Sequence, residues 1–111
     1  KEYIILDFWA SWCEPCIESF PKLKKLINLN NHIGIHFINA DKNENKWRSA
    51  LQKHGLEEFG INFYTSIKEL EEIKENVKFE YIPYYLLLDK NGIVYYQGTN
   101  FIELSKKDNS L

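Results

Sequence analysis

The stretch Tyr3-Ile4-Ile5-Leu6-Asp7-Phe8-Trp9-Ala10-Ser11-Trp12-Cys13-Glu14-Pro15-Cys16 decides how this chain is read. From Tyr3 to Trp9 it is aliphatic and aromatic with a single acid, the composition of a buried strand. Small and polar residues come next. Beyond Cys13 the apolar period changes: Ile17, Phe20, Leu23 and Ile27 recur at helical spacing, with Glu18, Lys22 and Lys25 off that face. The cysteines therefore fall where a strand hands over to a helix. There Cys13 stands near unpaired backbone N–H groups and the positive end of the helix dipole, which favours a thiolate. A thiolate is the attacking species in disulfide exchange, and a second thiol two residues on can displace the mixed disulfide without a large movement.

Outward from this stretch, a helix is expected from about Cys13 to Leu29, kinked at Pro21, which has no N–H for the carbonyl of Ile17. His32 to Ala40 reads as a second strand, so the opening is β-α-β with a parallel core. Asp41 to Gly55 reads as a loop and a helix with Trp47, Leu51 and His54 on one side and Gly55 as its stop. Phe59 to Tyr64 fits a minor strand or a loop, and both stay open. Ser66 and Glu69 form a capping-box pattern that opens a helix to about Asn76, with Ile67, Leu70 and Ile73 toward the sheet. Tyr84 to Asp89 and Ile93 to Tyr96 read as strands joined by Asp89-Lys90-Asn91-Gly92, in which both Asn91 and Gly92 can take positive φ. A short helix from Phe101 to Lys107 and a fraying tail, Asp108 to Leu111, complete the chain.

With 111 residues, 44% hydrophobic and 27% charged, the chain has the composition of one globular domain over residues 1–111. The formal charge is only −2 and bases are scattered or set beside acids, as in Lys68-Glu69 and Lys74-Glu75, so nucleic acid is not an expected partner. No run approaches the roughly 20 apolar residues of a membrane helix, so no direct membrane insertion is expected. Lys1 leads almost directly into a strand, from which an upstream segment, an anchor or signal with one or two structural elements, is expected. The cysteine pair is too local to be a structural clamp, which leaves its chemistry as the reason for its presence.

The run Leu6 to Cys16, together with Phe20-Pro21 and Ile82-Pro83, resembles the thioredoxin superfamily, in particular its TlpA/ResA-like branch of bacterial extracytoplasmic oxidoreductases. The resemblance implies an α/β fold: a thioredoxin-like three-layer sandwich whose central mixed sheet has a parallel core and an antiparallel C-terminal hairpin. It also implies a redox-active Cys13–Cys16 disulfide, with Cys13 the exposed nucleophile, Cys16 the buried resolving cysteine and Pro83 a cis proline facing them. Trp12, Glu14, Pro15 and Ile82 would then border the substrate, the peptide groups around Ile82 pairing with an extended segment. Asp7 would relay the proton of Cys16, its pKa raised by burial; the alternative is a strand acid that reaches solvent or caps nearby backbone. Asp41 to Pro83 is longer than a minimal thioredoxin allows by about one helix, which matches the insertion of that branch. Glu14 opposes the thiolate while favouring the helix dipole, and the net sign stays open.

In biological terms the resemblance implies a reductase acting as a monomer on protein disulfides or dithiols, recharged by a membrane or soluble thiol donor. It would be periplasmic or otherwise extracytoplasmic, work in cytochrome c biogenesis on apocytochrome c or other exported proteins, and need no prosthetic group. Two other readings compete. Cys13, Cys16, His32 and His36 give C-x2-C-x15-H-x3-H, at the edge of zinc-finger spacing, but the histidines lie in a strand and the cysteines at a helix start, so no metal is expected. A redox-inert module that holds peptide at Ile82-Pro83 is the other, and the retained cysteines argue against it.

Overall fold

The centre of the fold is β1 (Tyr3–Trp9), in a computed structural model that describes residues 2–107 and 111. It leads through α1 (Glu14–Leu29) into β2 (Ile33–Asn39), which pairs with it in parallel from Tyr3↔Ile33 to Trp9↔Asn39. Then come α2 (Glu44–His54), a short 3-10 turn (Leu56–Glu58), β3 (Ile61–Tyr64) and α3 (Ile67–Val77). β4 (Tyr84–Asp89), β5 (Val94–Gly98) and α4 (Phe101–Lys106) finish the order. The strands line up as β3-β2-β1-β4-β5, with β3 parallel to β2, β4 antiparallel to β1, and β5 antiparallel to β4. This is the expected mixed sheet, with a parallel core and an antiparallel end.

Because side chains alternate along a strand, β1 serves two cores. Ile5 and Trp9 pack with Cys16, Phe20 and Leu23 of α1 and Leu104 of α4; Leu6 and Phe8 pack on the opposite face with Phe79 and with Leu70, Ile73 and Val77 of α3 and its end. The inserted stretch between β2 and the cis proline thus supplies more than a helix. Its β3 settles the open choice at Phe59 to Tyr64 and forms the edge of the sheet, while α3 covers the second face. Gly60 lets that stretch close on β2: a Cβ there would stand 2.7 Å from the ring of Phe37.

Several local expectations change. Ile67, assigned to the sheet-facing stripe of α3, is 59% exposed, because the capping box of Ser66 and Glu69 sets the first turn beyond the edge of the core. In the β4–β5 turn only Gly92 takes a positive φ, +82°; Asn91 does not, since the Asp89 carboxylate accepts from the N–H groups of Asn91 and Ile93 and holds a longer turn. Consequently β5 begins at Val94 rather than Ile93 and runs to Gly98. α1 remains helical on both sides of Pro21. The expected fraying of Asp108 to Leu111 concerns residues that, save Leu111, lie outside the described ones.

Candidate active site at the junction of β1 and α1

Cys13 is the N-cap of α1, with φ −89° and ψ 99°, and its Sγ accepts from the backbone N–H of Cys16 at 3.3 Å. Its carbonyl accepts from the N–H of Ile17 at 3.1 Å, the first bond of the helix. Pro15 stands in the first turn, where a missing N–H costs nothing. Cys13 and Cys16 are joined as a disulfide, Cα to Cα 5.3 Å. Cys16 is wholly buried, as expected, but Cys13 is only 4% exposed rather than an open nucleophile. Its capping role turns the sulfur over the helix end and into the core shared with Cys16 and Trp9. Glu14, Pro15 and above all Trp12, at 71%, carry the exposed surface of the junction.

The sheet brings Ile82 and Pro83 to the same place. Phe8 pairs with Tyr84, so the residue before β4 lies beside the end of β1 from which the cysteine loop departs. The Ile82–Pro83 bond is cis. Trp12 and Ile82 line one cavity of about 320 Å³ with Tyr81, Leu70, Lys42 and Lys74, so the inserted α3 forms a wall of the groove beside the disulfide.

Asp7 lies in the β1 face that points at α1, fully buried. Among the described residues neither of its carboxyl oxygens has a hydrogen-bond donor. Burial pushes its pKa well above the usual carboxylate range. The alternative in which this acid reaches solvent or caps backbone does not hold.

A second buried acid was missed by reading the sequence for chemistry. Asp41, 4% exposed, accepts from the Ser11 N–H at 2.9 Å, the Ser11 hydroxyl at 2.8 Å and the Asn39 side-chain amide at 2.8 Å. Asn39 in turn accepts from the Asp41 N–H, and its carbonyl accepts from the Thr65 hydroxyl. This network ties the loop before Cys13 to the end of β2. The available signal was polar Asn39 and Asp41 directly after an apolar strand, beside a Ser two residues before a cysteine.

The histidines of the competing metal reading stand elsewhere. His32 precedes Ile33, which pairs with Tyr3, so it lies at the end of the sheet opposite the Cys13 loop, roughly 20 Å along the strand. His36 pairs with Leu6, on the face away from Cys16, and its ring meets Phe63. No three His, Cys, Asp or Glu side chains come together as a metal site among the described residues. His54, on the side of α2 that carries Leu51, is half-buried with its ring 5.7 Å from that of Phe20.

Residues 1–94 match the model of a family described as thioredoxin-like. Among curated proteins, the thiol-disulfide oxidoreductase ResA of Geobacillus kaustophilus is 28% identical over 91 residues, 82% of this chain and 51% of that protein. The chain thus spans about half the length of the curated relatives it matches. Among solved structures, the thioredoxin domain of a thiol-disulfide oxidoreductase from Bacteroides vulgatus superposes with a TM-score of 0.86 at 19% identity, covering 98% of this chain and 78% of that one. A secreted Mycobacterium tuberculosis disulfide oxidoreductase gives 0.75 at 20% identity, over 99% and 82% of the two chains. The fold, the helix-capping disulfide and the family match agree: the chain belongs to the thioredoxin-like family and within it is similar to the ResA-like thiol-disulfide oxidoreductases.

Proposed function

We propose that the chain is a thiol-disulfide oxidoreductase that exchanges disulfides with protein substrates through Cys13 and Cys16, working as a reductase. The observation that carries this reading is a disulfide at the N-cap of α1 beside a groove shared by Trp12 and the cis Ile82–Pro83 segment. In the reduced protein the Cys13 thiolate attacks one sulfur of a substrate disulfide, forming a mixed disulfide and releasing the other sulfur as a thiolate. The Cys16 thiol gives its proton to the Asp7 carboxylate and attacks Cys13. The Cys13–Cys16 bond re-forms, the second substrate thiolate leaves, and two electrons have passed to the substrate. Asp7 suits this step because burial raises its pKa well above the usual carboxylate range, so that it takes up a proton more readily than an exposed carboxylate. Trp12, Glu14, Pro15 and Ile82 border the incoming chain, whose extended backbone pairs with the peptide groups preceding Pro83. The similarity to ResA-like proteins leads us to an extracytoplasmic setting, with exported proteins such as apocytochrome c as substrates and a membrane or soluble thiol donor recharging the pair.

Replacing Cys16 with Ser removes the resolving thiol, so mixed disulfides through Cys13 should accumulate in the native host. Their isolation under non-reducing conditions and identification by mass spectrometry would name substrate and compartment together. A Cys13 that alkylates freely yet captures nothing would overturn the reading in favour of an inert peptide-binding module.

A further inference from the structure

The groove beside the disulfide combines an apolar floor with cations that have no partner. Its floor is made by Leu70 of α3, the half-buried Ile82 and the buried ring of Phe79, which packs on Phe8 and stacks on Tyr84. Trp12 and Tyr81 also line it, 71% and 73% exposed. Large aromatics left in water around an apolar floor mark a surface that is covered when the protein works.

Two exposed lysines complete the lining. Lys42 follows Asp41, whose carboxylate is fixed to Ser11 and Asn39, so its backbone is held by the network that anchors the loop before Cys13. The Lys74 ammonium lies 5.9 Å from the centroid of the Phe79 ring, above the floor. Glu75 follows Lys74 in sequence but points elsewhere around the helix, and neither lysine has a carboxylate partner among the described residues. Among the described residues that line the groove Glu80 is the one acid, which leaves two positive charges against one negative. Glu14, next to Cys13, does not line it. A cation partly desolvated by a bound segment gains more from an incoming carboxylate than one in open water.

Trp12 is joined to Cys13 and Ile82 to Pro83. A substrate whose sulfur meets Cys13 and whose extended backbone runs along Ile82 therefore places side chains within about two residues of that sulfur over the groove. We propose that Lys42 and Lys74 set the substrate preference of this protein, selecting extended protein segments that carry an apolar and an acidic side chain beside the reacting cysteine. The floor of Leu70, Phe79 and Ile82 seats the apolar side chain, the two ammonium groups take the carboxylate, and Glu80 works against the preference. The purpose of this selection rests on the disulfide-exchange reading, whereas the binding preference is measurable without exchange.

The test titrates the oxidised, nitrogen-15-labelled protein by NMR with short capped peptides in which serine replaces the reacting cysteine. Each peptide carries a leucine and, beside it, glutamate, glutamine or lysine. At low salt the glutamate peptide should bind roughly tenfold more tightly than the lysine peptide, from an attraction gained and a repulsion avoided at partly exposed charges. The Trp12 indole and the Leu70 and Ile82 amides should move, and the gap should narrow at high salt. Replacing both Lys42 and Lys74 with Gln should abolish the preference, and Glu80→Gln should widen it. Lys46→Gln with Lys53→Gln, the same change in net charge in a separate groove, should leave it intact. Equal binding of the three peptides, a preference that survives the loss of Lys42 and Lys74, shifts confined to residues outside the groove, or no shift at millimolar peptide overturns the proposal. Exchange kinetics with disulfides of the corresponding cysteine peptides separate the two readings. Exchange without an acidic preference sinks the selection and leaves the oxidoreductase; an acidic preference in binding without exchange does the reverse.

Discussion

Asp7 is an acid in a strand whose neighbours Leu6 and Phe8 belong to one core and whose face points into the other. Its folded pKa lies above the unfolded value of 3.8, so the folded state holds the proton more tightly. Stability linked to this group is therefore full below the unfolded pKa and is lost as pH rises through the folded one. Asp7→Asn, which stays neutral at every pH, should match the wild type near pH 3 and exceed it at pH 8 by on the order of 1–3 kcal/mol. Urea denaturation at the two pH values measures the difference, and a gap that is equal at both would contradict it. The same variant should slow disulfide exchange and flatten its pH profile. Proteins that keep such an acid hold a locally destabilising group where chemistry needs it. The acid was visible in the sequence; that it lacks a donor was not, because partners depend on what β4 and α1 bring to its face.

At the scale of elements, the strongest local signals read true. The change of period after Cys13 marked α1, Gly55 stops α2 with a φ of +62°, and Ser66 and Glu69 form a full capping box. Elements whose burial depends on partners read less well. β3 alternates between exposed and half-buried residues, but Ile61 and Phe63 are the exposed ones, at 56% and 46%, so in this edge strand the apolar pattern does not mark the buried face. The tie between elements at Asp41 was silent for a similar reason, since its partners Ser11 and Asn39 meet it only when β1 and β2 pair. Asp41→Ala would leave the Ser11 N–H, the Ser11 hydroxyl and the Asn39 amide without their acceptor. A stability loss of about 2–4 kcal/mol is expected by thermal or chemical denaturation. Disulfide exchange should slow as well, because the loop leading to Cys13 loses its anchor. A variant of unchanged stability and rate would show that water replaces the carboxylate at no cost.

For the whole molecule, the disulfide matters less to the fold than the sheet does. It links residues three apart, and closing so short a loop is worth only about 2 kcal/mol of chain entropy. The core spans both faces of a sheet built from β1 outward, and Cys16 is one buried member of it. Reduction with dithiothreitol should therefore leave the protein folded, with unchanged far-UV circular dichroism and a stability change no greater than about 2 kcal/mol. Unfolding on reduction would show that the pair is a staple after all. The sequence by itself determined the β-α-β opening, the placement of both cysteines at a helix start, and the capping residues, because these rest on local periodicity and on backbone groups within a turn of the side chain concerned. Tertiary structure alone decided the near burial of Cys13, the meeting of Trp12 with Ile82, and the isolation of Asp7 opposite Tyr85. Those are contacts between segments far apart in the chain, and which side chains face one another there is set by strand register and layer packing rather than by any neighbouring residue.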